Sequence, residues 1–203
     1  MIRTRQYGSL TGARTFQLFP SDNEVVSVDD ENYLAIPLQE AKKVLRVKTD
    51  ADDVFIEGLI RGVTDQIERH IGRDIQPKVR LAYWSRPNPY VKLTHPPVND
   101  IVSVVNVDED GNEETLASDS YTVTGLAFDR AILFSQKPHI LKVQYECGYA
   151  KCPDAVKAAI HQELALQYKH RNDPNSPAIT SINGLSIEAR HLLIGGGYYE
   201  YAR

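Results

Sequence analysis

Two stretches of the chain repeat apolar residues at the spacing of an amphipathic helix. In the first, a single stripe recurs every three or four residues and comprises Ile56, Leu59, Ile60, Val63, Ile67 and Ile71. Gly72 follows this stripe, at the position where helices commonly end on a left-handed residue. The second stretch begins at Pro153 and continues to about Arg171, with a stripe that comprises Val156, Ala159, Ile160, Leu164 and Tyr168. The pattern predicts two long helices that each bury one face.

A shorter helix is predicted just before the first long one. Pro37 opens it, because the N–H that proline lacks has no partner in the first turn of a helix. An acidic cluster follows, in which Thr49 or Asp50 is expected to cap the long helix, and the next carboxylates favour its positive end. A catalytic carboxylate pair at Asp52 and Asp53 is the alternative, but helix capping accounts for the whole cluster.

Two glycines, Gly58 and Gly62, lie four residues apart inside the first long helix. Each costs about 1 kcal/mol of helix propensity relative to alanine. The spacing either allows a neighbouring backbone to approach closely or has no function, and both interpretations stand at this stage.

Between the two long helices the apolar period falls to two residues, which is the spacing of β-strands. The strand candidates are residues 78–84, 91–94, 101–107, 114–116, 120–124, 131–134 and 140–146. The run from Asp108 to Asn112 is a hairpin signal. Pro96 and Pro97 cannot lie within a central strand, so they mark an edge or a connection. The region is therefore predicted to form a small, mainly antiparallel sheet.

The two ends of the chain carry weaker patterns. Residues 1–32 are polar and turn-rich, and predict an extended arm, disordered or laid across a partner, with one short strand at Val25–Val28. A proline-punctuated linker, Pro174–Pro177, follows the second long helix. Beyond it, apolar residues around the turn dipeptide Asn183–Gly184 predict a short strand pair. The glycines at 195–197 predict a hinge, and the segment either docks on a partner or folds back on its own domain.

These elements predict an α+β fold. It is a small helical bundle, two long helices plus a short one, with an inserted β region and extended N- and C-terminal arms. The predicted division is an N-terminal arm at 1–32, a central domain at 33–172 and a C-terminal docking arm at 173–203. Within the central domain, residues 33–75 and 151–172 are helical and residues 76–150 form the β insertion.

Composition narrows the function classes. The 203 residues are 42% hydrophobic and 25% charged, as in ordinary soluble globular proteins. The net charge of -4 argues against a protein that grips nucleic acid through a basic face. No stretch approaches the roughly 20 apolar residues of a membrane span. Because the N-terminus also lacks the apolar segment of a signal peptide, the cytoplasm is the expected location and no membrane partner is expected.

The sequence offers no positive sign of catalysis. Cys147 and Cys152 are too few for a zinc site and are expected to be reduced thiols, with a disulfide as the alternative. The three glycines at 195–197 lack the lysine of a phosphate-binding loop, and no nucleophile elbow or zincin motif is present. The histidines are scattered, and His161 and His170 are expected to be solvated. We therefore expect no enzyme, catalytic residue, cofactor or metal.

Several short sequence segments together resemble those of the phage head–tail connector or adaptor family. The resemblance is to the subgroup whose two long helices flank a β-rich insertion. The segments span about residues 36–172 and comprise Leu38–Val47, Asp52–Asp53, Ile56–Ile60, Glu68–Arg73, Trp84, Pro96–Ile101, Asp108, Gly111, Val143–Tyr149, Pro153 and Tyr168. Each segment consists mostly of helix-capping and core residues, so the resemblance rests on the order and spacing of the segments. The arm before Pro37 is longer than the family pattern.

The resemblance implies a structural virion protein at the neck, the head–tail interface of the particle. During assembly the protein would be in the host cytoplasm. Such proteins form a ring, generally of twelve copies, that binds the portal, extends the channel for double-stranded DNA and supports a stopper or a tail-tube or tail-terminator protein. The family's C-terminal segment commonly reaches toward the portal. The residues expected to bind the portal here are Ile182, Leu185, Ile187, Leu192, Leu193, Ile194, Tyr198, Tyr199 and Tyr201.

Two alternatives to a portal-binding connector are considered. A stopper or tail-completion protein would bind the tail side instead of the portal. A small α+β enzyme would need a conserved cluster of polar residues in a pocket, which a single sequence does not reveal.

Overall fold

The chain folds into four helices and eight strands within the part that the computed structural model describes, residues 17–28, 30, 32–171 and 185–198. The helices are α1 (Leu38–Leu45), α2 (Asp53–Ile71), α3 (Asp154–His170) and α4 (Ile187–Gly195). The strands are β1 (Asp22–Val28), β2 (Lys78–Trp84), β3 (Tyr90–Lys92), β4 (Val98–Val107), β5 (Glu113–Thr115), β6 (Tyr121–Thr124), β7 (Ala131–Phe134) and β8 (Ile140–Cys147). This mixed architecture confirms the predicted α+β class, and α4 is a helix that the sequence patterns did not predict.

The three predicted helices are present with nearly the predicted bounds. The apolar stripe of α2 is buried apart from the half-buried Leu59, and that of α3 is buried as far as Leu164. Gly72 ends α2 with a φ of 62°, and its N–H donates to the Glu68 carbonyl (2.9 Å). Helical periodicity and terminal residues therefore define this half of the fold.

The start of α2 differs from the prediction. Asp52, rather than Thr49 or Asp50, is the N-cap residue, and its side chain makes no capping hydrogen bond. Asp50 and Asp53 instead each lie 2.6 Å from the ammonium of Lys42, whose side chain is almost fully buried. A buried ammonium is costly unless carboxylates pair with it, so these two side chains contact Lys42 instead of capping the helix. The acidic cluster therefore connects α1 to α2.

The strands form two sheets instead of the one that was predicted. A five-stranded sheet has the order β1-β2-β8-β4-β5, and a three-stranded sheet has the order β3-β7-β6; every pairing is antiparallel. The break falls between β3 and β4, where Pro96 and Pro97 provide no N–H for a ladder. The prolines lie in a connection, as predicted, and β3 pairs with β7 rather than with its sequence neighbour.

Strand β1 confirms the short strand predicted near Val25–Val28. It is the edge of the five-stranded sheet and pairs with β2, from Asp22 opposite Tyr83 to Val28 opposite Lys78. The end of the predicted N-terminal arm is therefore part of the sheet. The division into arms and a central domain otherwise stays a prediction.

Each half of the protein has its own hydrophobic core. The helical core gathers residues from all four helices, with Ile36, Ile60 and Leu164 fully buried. The sheet core contains Trp84 and Tyr145, also fully buried. On β2, the inward-facing set is Lys78, Arg80, Ala82 and Trp84, so this strand buries two charged residues. Those two charges face the helical half and join the two cores.

The two cysteines are free and buried, as expected of reduced thiols, and a disulfide between them is excluded. Cys147 belongs to the sheet core and Cys152 to the helical core. Burial raises the pKa of Cys152 to about 12. Burial also raises the pKa of Cys147, and the nearby Asp74 carboxylate adds to that effect.

Neither thiol is expected to react with iodoacetamide in the folded protein at mildly alkaline pH. The thiolate is the reactive form, and both raised pKa values keep it scarce, while burial blocks access. Mass spectrometry should find both cysteines alkylated in guanidinium chloride and neither alkylated without it. Rapid labelling of folded protein would contradict the burial of these side chains.

Candidate functional site

The C-terminal segment, which carries the predicted binding residues, folds as a helix against α3. Residues of the predicted strand pair before Leu185 lie outside the described part of the chain. After Leu185 the strand prediction is wrong, because Ile187 begins α4. Ser186 is its N-cap, and the Ser186 Oγ accepts a hydrogen bond from the Ala189 N–H (3.2 Å). Ser186, with Glu188 in the first turn, is the sequence signal that could have revealed this helix.

A buried carboxylate holds the start of α4. Glu163, on the inner face of α3, is fully buried. Its Oε2 accepts from the Ser186 N–H (3.0 Å), and its Oε1 accepts from the Gln167 amide (3.1 Å). A carboxylate leaves water at a large cost unless it is hydrogen-bonded, so this contact fixes α4 on α3. The sequence already indicated a special role for Glu163, because this charged residue interrupts the apolar stripe of α3.

The end of α4 is fixed by glycine. A side chain at Gly196 would place its Cβ 2.3 Å from the Ala155 Cβ, so α4 approaches the start of α3 closely. The Gly196 N–H donates to the carbonyls of Leu192 and Leu193 and closes the helix. These glycines therefore end α4 and pack it against α3, whereas the sequence had predicted a hinge.

The predicted portal-binding residues divide into three groups. Leu185, Leu193 and Tyr198 are buried in the protein's own helical core. Ile187, Leu192 and Ile194 are exposed on α4. The other three, Ile182, Tyr199 and Tyr201, lie outside the described residues. The described part of the segment thus folds back on its own domain and still presents apolar side chains.

Helix α4 is apolar on both sides. Ala189 and Leu193 face α3 and are fully buried. Ile187 and Ile194, seven residues apart, share the opposite side and remain 54% and 50% exposed. Glu188, Arg190 and His191 lie between these residues, but large apolar side chains this exposed on one short helix are a feature of contact surfaces. The outward face of α4, defined here as Ile187 and Ile194 with the exposed Leu192 on the flank of the helix, is therefore a candidate binding surface.

An aromatic cluster lies where α4 ends. The Arg73 guanidinium is 4.8 Å from the ring centroid of Tyr198 and 5.4 Å from that of Phe128, both within cation–π range. Arg73 also donates to the Tyr149 hydroxyl (3.4 Å). Burial raises the pKa of the Tyr198 phenol. The cluster joins α4 to the turn between β6 and β7.

A charged network joins the helical half to the sheet. It borders a cleft of about 400 Å³ and centres on two buried carboxylates, Glu68 and Asp74. Glu68 Oε1 accepts from the N–H groups of Ile75 (2.7 Å) and Gln76 (2.9 Å), and Lys78 pairs with the same carboxylate. Burial raises the pKa of Glu68 against these contacts.

Asp74 is the most buried member of this network. Arg80 donates two hydrogen bonds to its carboxylate, from Nε to Oδ2 (2.5 Å) and from Nη2 to Oδ1 (2.8 Å). The Cys147 thiol also donates to Oδ2 (3.1 Å). Burial would raise the pKa of Asp74, but Arg80 holds it below its ordinary value. Two carboxylates and two cations neutralise each other here, and the cluster joins the two halves of the protein.

Other sites that the sequence raised are absent or altered in the described residues. No group of three or more histidine, cysteine or acidic side chains there is placed to hold a metal ion. His161 and His170 are half-buried rather than solvated, and His161 Nε2 lies 3.1 Å from Glu40. No helix in the described ranges is long and apolar enough to cross a membrane.

The chain matches one family model and shares its fold with solved structures. The family model of the phage gp6-like head-tail connector protein matches residues 35–143, from the residues before α1 into β8. No curated protein matches the chain.

Three solved structures share the fold at low sequence identity. A chain from the neck of an empty GTA particle computed with C6 symmetry is 16% identical, with a TM-score of 0.69, over 90% of this chain and 97% of that chain. A chain from the neck of a native GTA particle computed with C12 symmetry is 14% identical, with a TM-score of 0.65, over 90% and 97%. A chain from the virion of a native gene transfer agent (GTA) particle is 16% identical, with a TM-score of 0.64, over 89% and 96%.

Proposed function

Because this chain belongs to the phage gp6-like head-tail connector protein family, we propose that it is a non-enzymatic subunit of a ring that binds the portal and joins the DNA-filled head to the tail. The observation that carries the proposal is the family match, which covers more than half of the chain and includes α1, α2 and strands β2 to β7. The location that follows is the neck of the particle, after assembly in the host cytoplasm.

The ring is proposed to be a dodecamer. Support comes from the similar folds, which occur in necks computed with C6 and C12 symmetry. In a ring each subunit meets its neighbours through two different surfaces, and rotation closes the series. The lumen would pass double-stranded DNA without specific contacts, and the net charge of -4 suits a conduit that does not hold phosphates.

The portal contact is proposed to be the C-terminal segment, through the outward face of α4. Ile187, Leu192 and Ile194 would meet the portal directly, while the buried Leu193 holds the helix in place. Ile182, Tyr199 and Tyr201 belong to the same predicted surface. The opposite side of the ring would support a stopper or a tail-tube or tail-terminator protein.

The double variant Ile187→Asp/Ile194→Asp is expected to bind portal rings at least about tenfold more weakly, because two apolar contacts of the interface become charged. Co-sedimentation with portal rings from the same particle measures this. Val102→Asp, an equally exposed apolar position in the sheet, is the matched control and should bind like the unaltered protein. Unchanged binding by the double variant would exclude α4 as the portal contact, and binding of the unaltered protein to a tail component instead would favour the stopper alternative.

A further inference from the structure

Two pairs of apolar side chains project into solvent at opposite ends of α2. We call Val54 and Phe55 the α2 start, and Leu126 and Phe128 the hairpin tip. Val54 is 85% exposed and Leu126 is 82% exposed, and the two phenylalanines are about half exposed. Neighbouring large apolar residues that are this exposed indicate an interaction surface.

The separation of the two patches follows from α2 itself. The α2 start lies in the first turn of the helix. The hairpin tip lies by the other end, since Phe128 contacts Arg73, the residue after Gly72. A helix of 19 residues is about 28 Å long. One molecule therefore cannot bring its own two patches together.

The hairpin tip is held rigidly. The Asp129 N–H donates to the Leu126 carbonyl (2.9 Å), and the Val98 N–H donates to the Ala127 carbonyl (2.7 Å). Gly125 has a φ of 78°, and a Cβ there would lie 2.1 Å from the Asp129 carbonyl oxygen. Such a preformed turn loses little entropy when its apolar side chains bind.

The α2 start is fixed equally well. The Phe55 ring packs 6.4 Å from that of Tyr168, and the Tyr168 hydroxyl donates to Asp52 (2.5 Å). On the same helix, a Cβ at Gly58 or Gly62 would meet nothing within 4 Å. The helix surface beside Val54 therefore carries no side chain at these two glycines and leaves space for a side chain of a partner.

The two patches have complementary charges. Residues 50–57 contain four carboxylates and no cation, and nearby Lys42, Arg61 and Arg171 pair with these carboxylates without outnumbering them. The hairpin tip is bordered by the cations Arg73, Lys92 and Arg130, of which Lys92 pairs with Asp129. Charge complementarity of this kind sets which surfaces meet, whereas two acidic α2 starts would repel each other.

We propose that the hairpin tip of one copy docks on the α2 start of the next copy, and that this contact repeats around the ring. The inference rests on the proposed ring function and specifies which surfaces form it. Two different patches on each subunit make a heterologous contact, which is the kind that closes into a ring. Leu126 and Phe128 would lie against Val54 and Phe55.

Cysteine cross-linking tests the contact. Val54→Cys and Leu126→Cys variants of the full chain are mixed, assembled on portal rings and treated with a short bis-maleimide. The mixture should give covalent dimers joined through positions 54 and 126, and either variant alone should give none. Val102→Cys mixed with Leu126→Cys is the control, since Val102 is exposed but belongs to neither patch. The native thiols are buried and should stay unlabelled.

The outcomes separate this contact from the proposed function. If the variants assemble on the portal but positions 54 and 126 do not cross-link, the contact is wrong and the ring function stands. Cross-linking of Val54→Cys with itself would likewise overturn the head-to-tail arrangement. If the unaltered protein forms no assembly with the portal, both the ring function and this contact are refuted.

Discussion

Replacing Asp74 with alanine is expected to lower the free energy of unfolding by about 3–5 kcal/mol, the usual loss when one partner of a buried ion pair is removed. The Asp74 side chain is 1% exposed and accepts two hydrogen bonds from Arg80. Its removal leaves the Arg80 guanidinium buried without its carboxylate. Because the helical and sheet halves have separate cores, this network is a main connection between them.

Urea denaturation of the variant and the unaltered protein measures the loss. Asp129→Ala is the matched control, because Asp129 also pairs with a cation, Lys92 (2.7 Å), but is 71% exposed. An exposed pair contributes about 1 kcal/mol or less. Equal effects of the two substitutions would show that the buried network does not stabilise the fold as we infer.

The pH dependence provides a second check on Asp74. Its folded-state pKa lies below the ordinary value of 3.8, so its contribution is present above that pH and is lost as the pH falls through the folded-state pKa. The difference between the unaltered protein and Asp74→Ala should therefore shrink in acid below pH 3.8. Burial raises the pKa of Glu68, so this residue has the opposite effect. Its contribution to the stability of the protein is lost as the pH rises above the ordinary pKa of a glutamate.

Leu193→Ala is expected to release α4 from α3, at a cost of about 2–5 kcal/mol for a cavity at a fully buried leucine. Hydrogen exchange of the amides of α4 should accelerate strongly, while those of α2 should stay protected. The same variant should bind the portal more weakly, because the outward face of α4 is then no longer held in place.

The adjacent residue is the control for this prediction. Leu192 is 40% exposed and makes part of the outward face, so Leu192→Ala should leave exchange in α4 nearly unchanged. Leu192→Ala can weaken portal binding without releasing the helix, whereas Leu193→Ala should do both. Slow exchange in Leu193→Ala would mean that Glu163 and Gly196 hold α4 without this side chain.

Sequence periodicity predicted the elements whose signal is local. The stripes of α2 and α3 span many turns; Gly72 ends α2, Pro153 begins α3, and Pro37 begins the shorter α1. The longer strands β2 and β8 were found for the same reason, since buried and less buried residues alternate along them. The family resemblance was then confirmed by a family model over residues 35–143.

What the sequence did not predict depends on distant contacts. The split into two sheets arises because β3 pairs with β7, about forty residues away in the chain. Helix α4 was missed because apolar residues on both of its sides hide the amphipathic pattern. The cap of α2 was misassigned because the buried Lys42 takes the carboxylates of Asp50 and Asp53.

The most direct test of the proposed function is sedimentation of the full-length protein with and without portal rings from the same particle. We predict that the protein sediments with the portal as a ring, and that Ile187→Asp/Ile194→Asp stays largely in the supernatant. Binding to a tail component with no binding to the portal would contradict the portal-binding connector and favour a stopper or tail-completion protein.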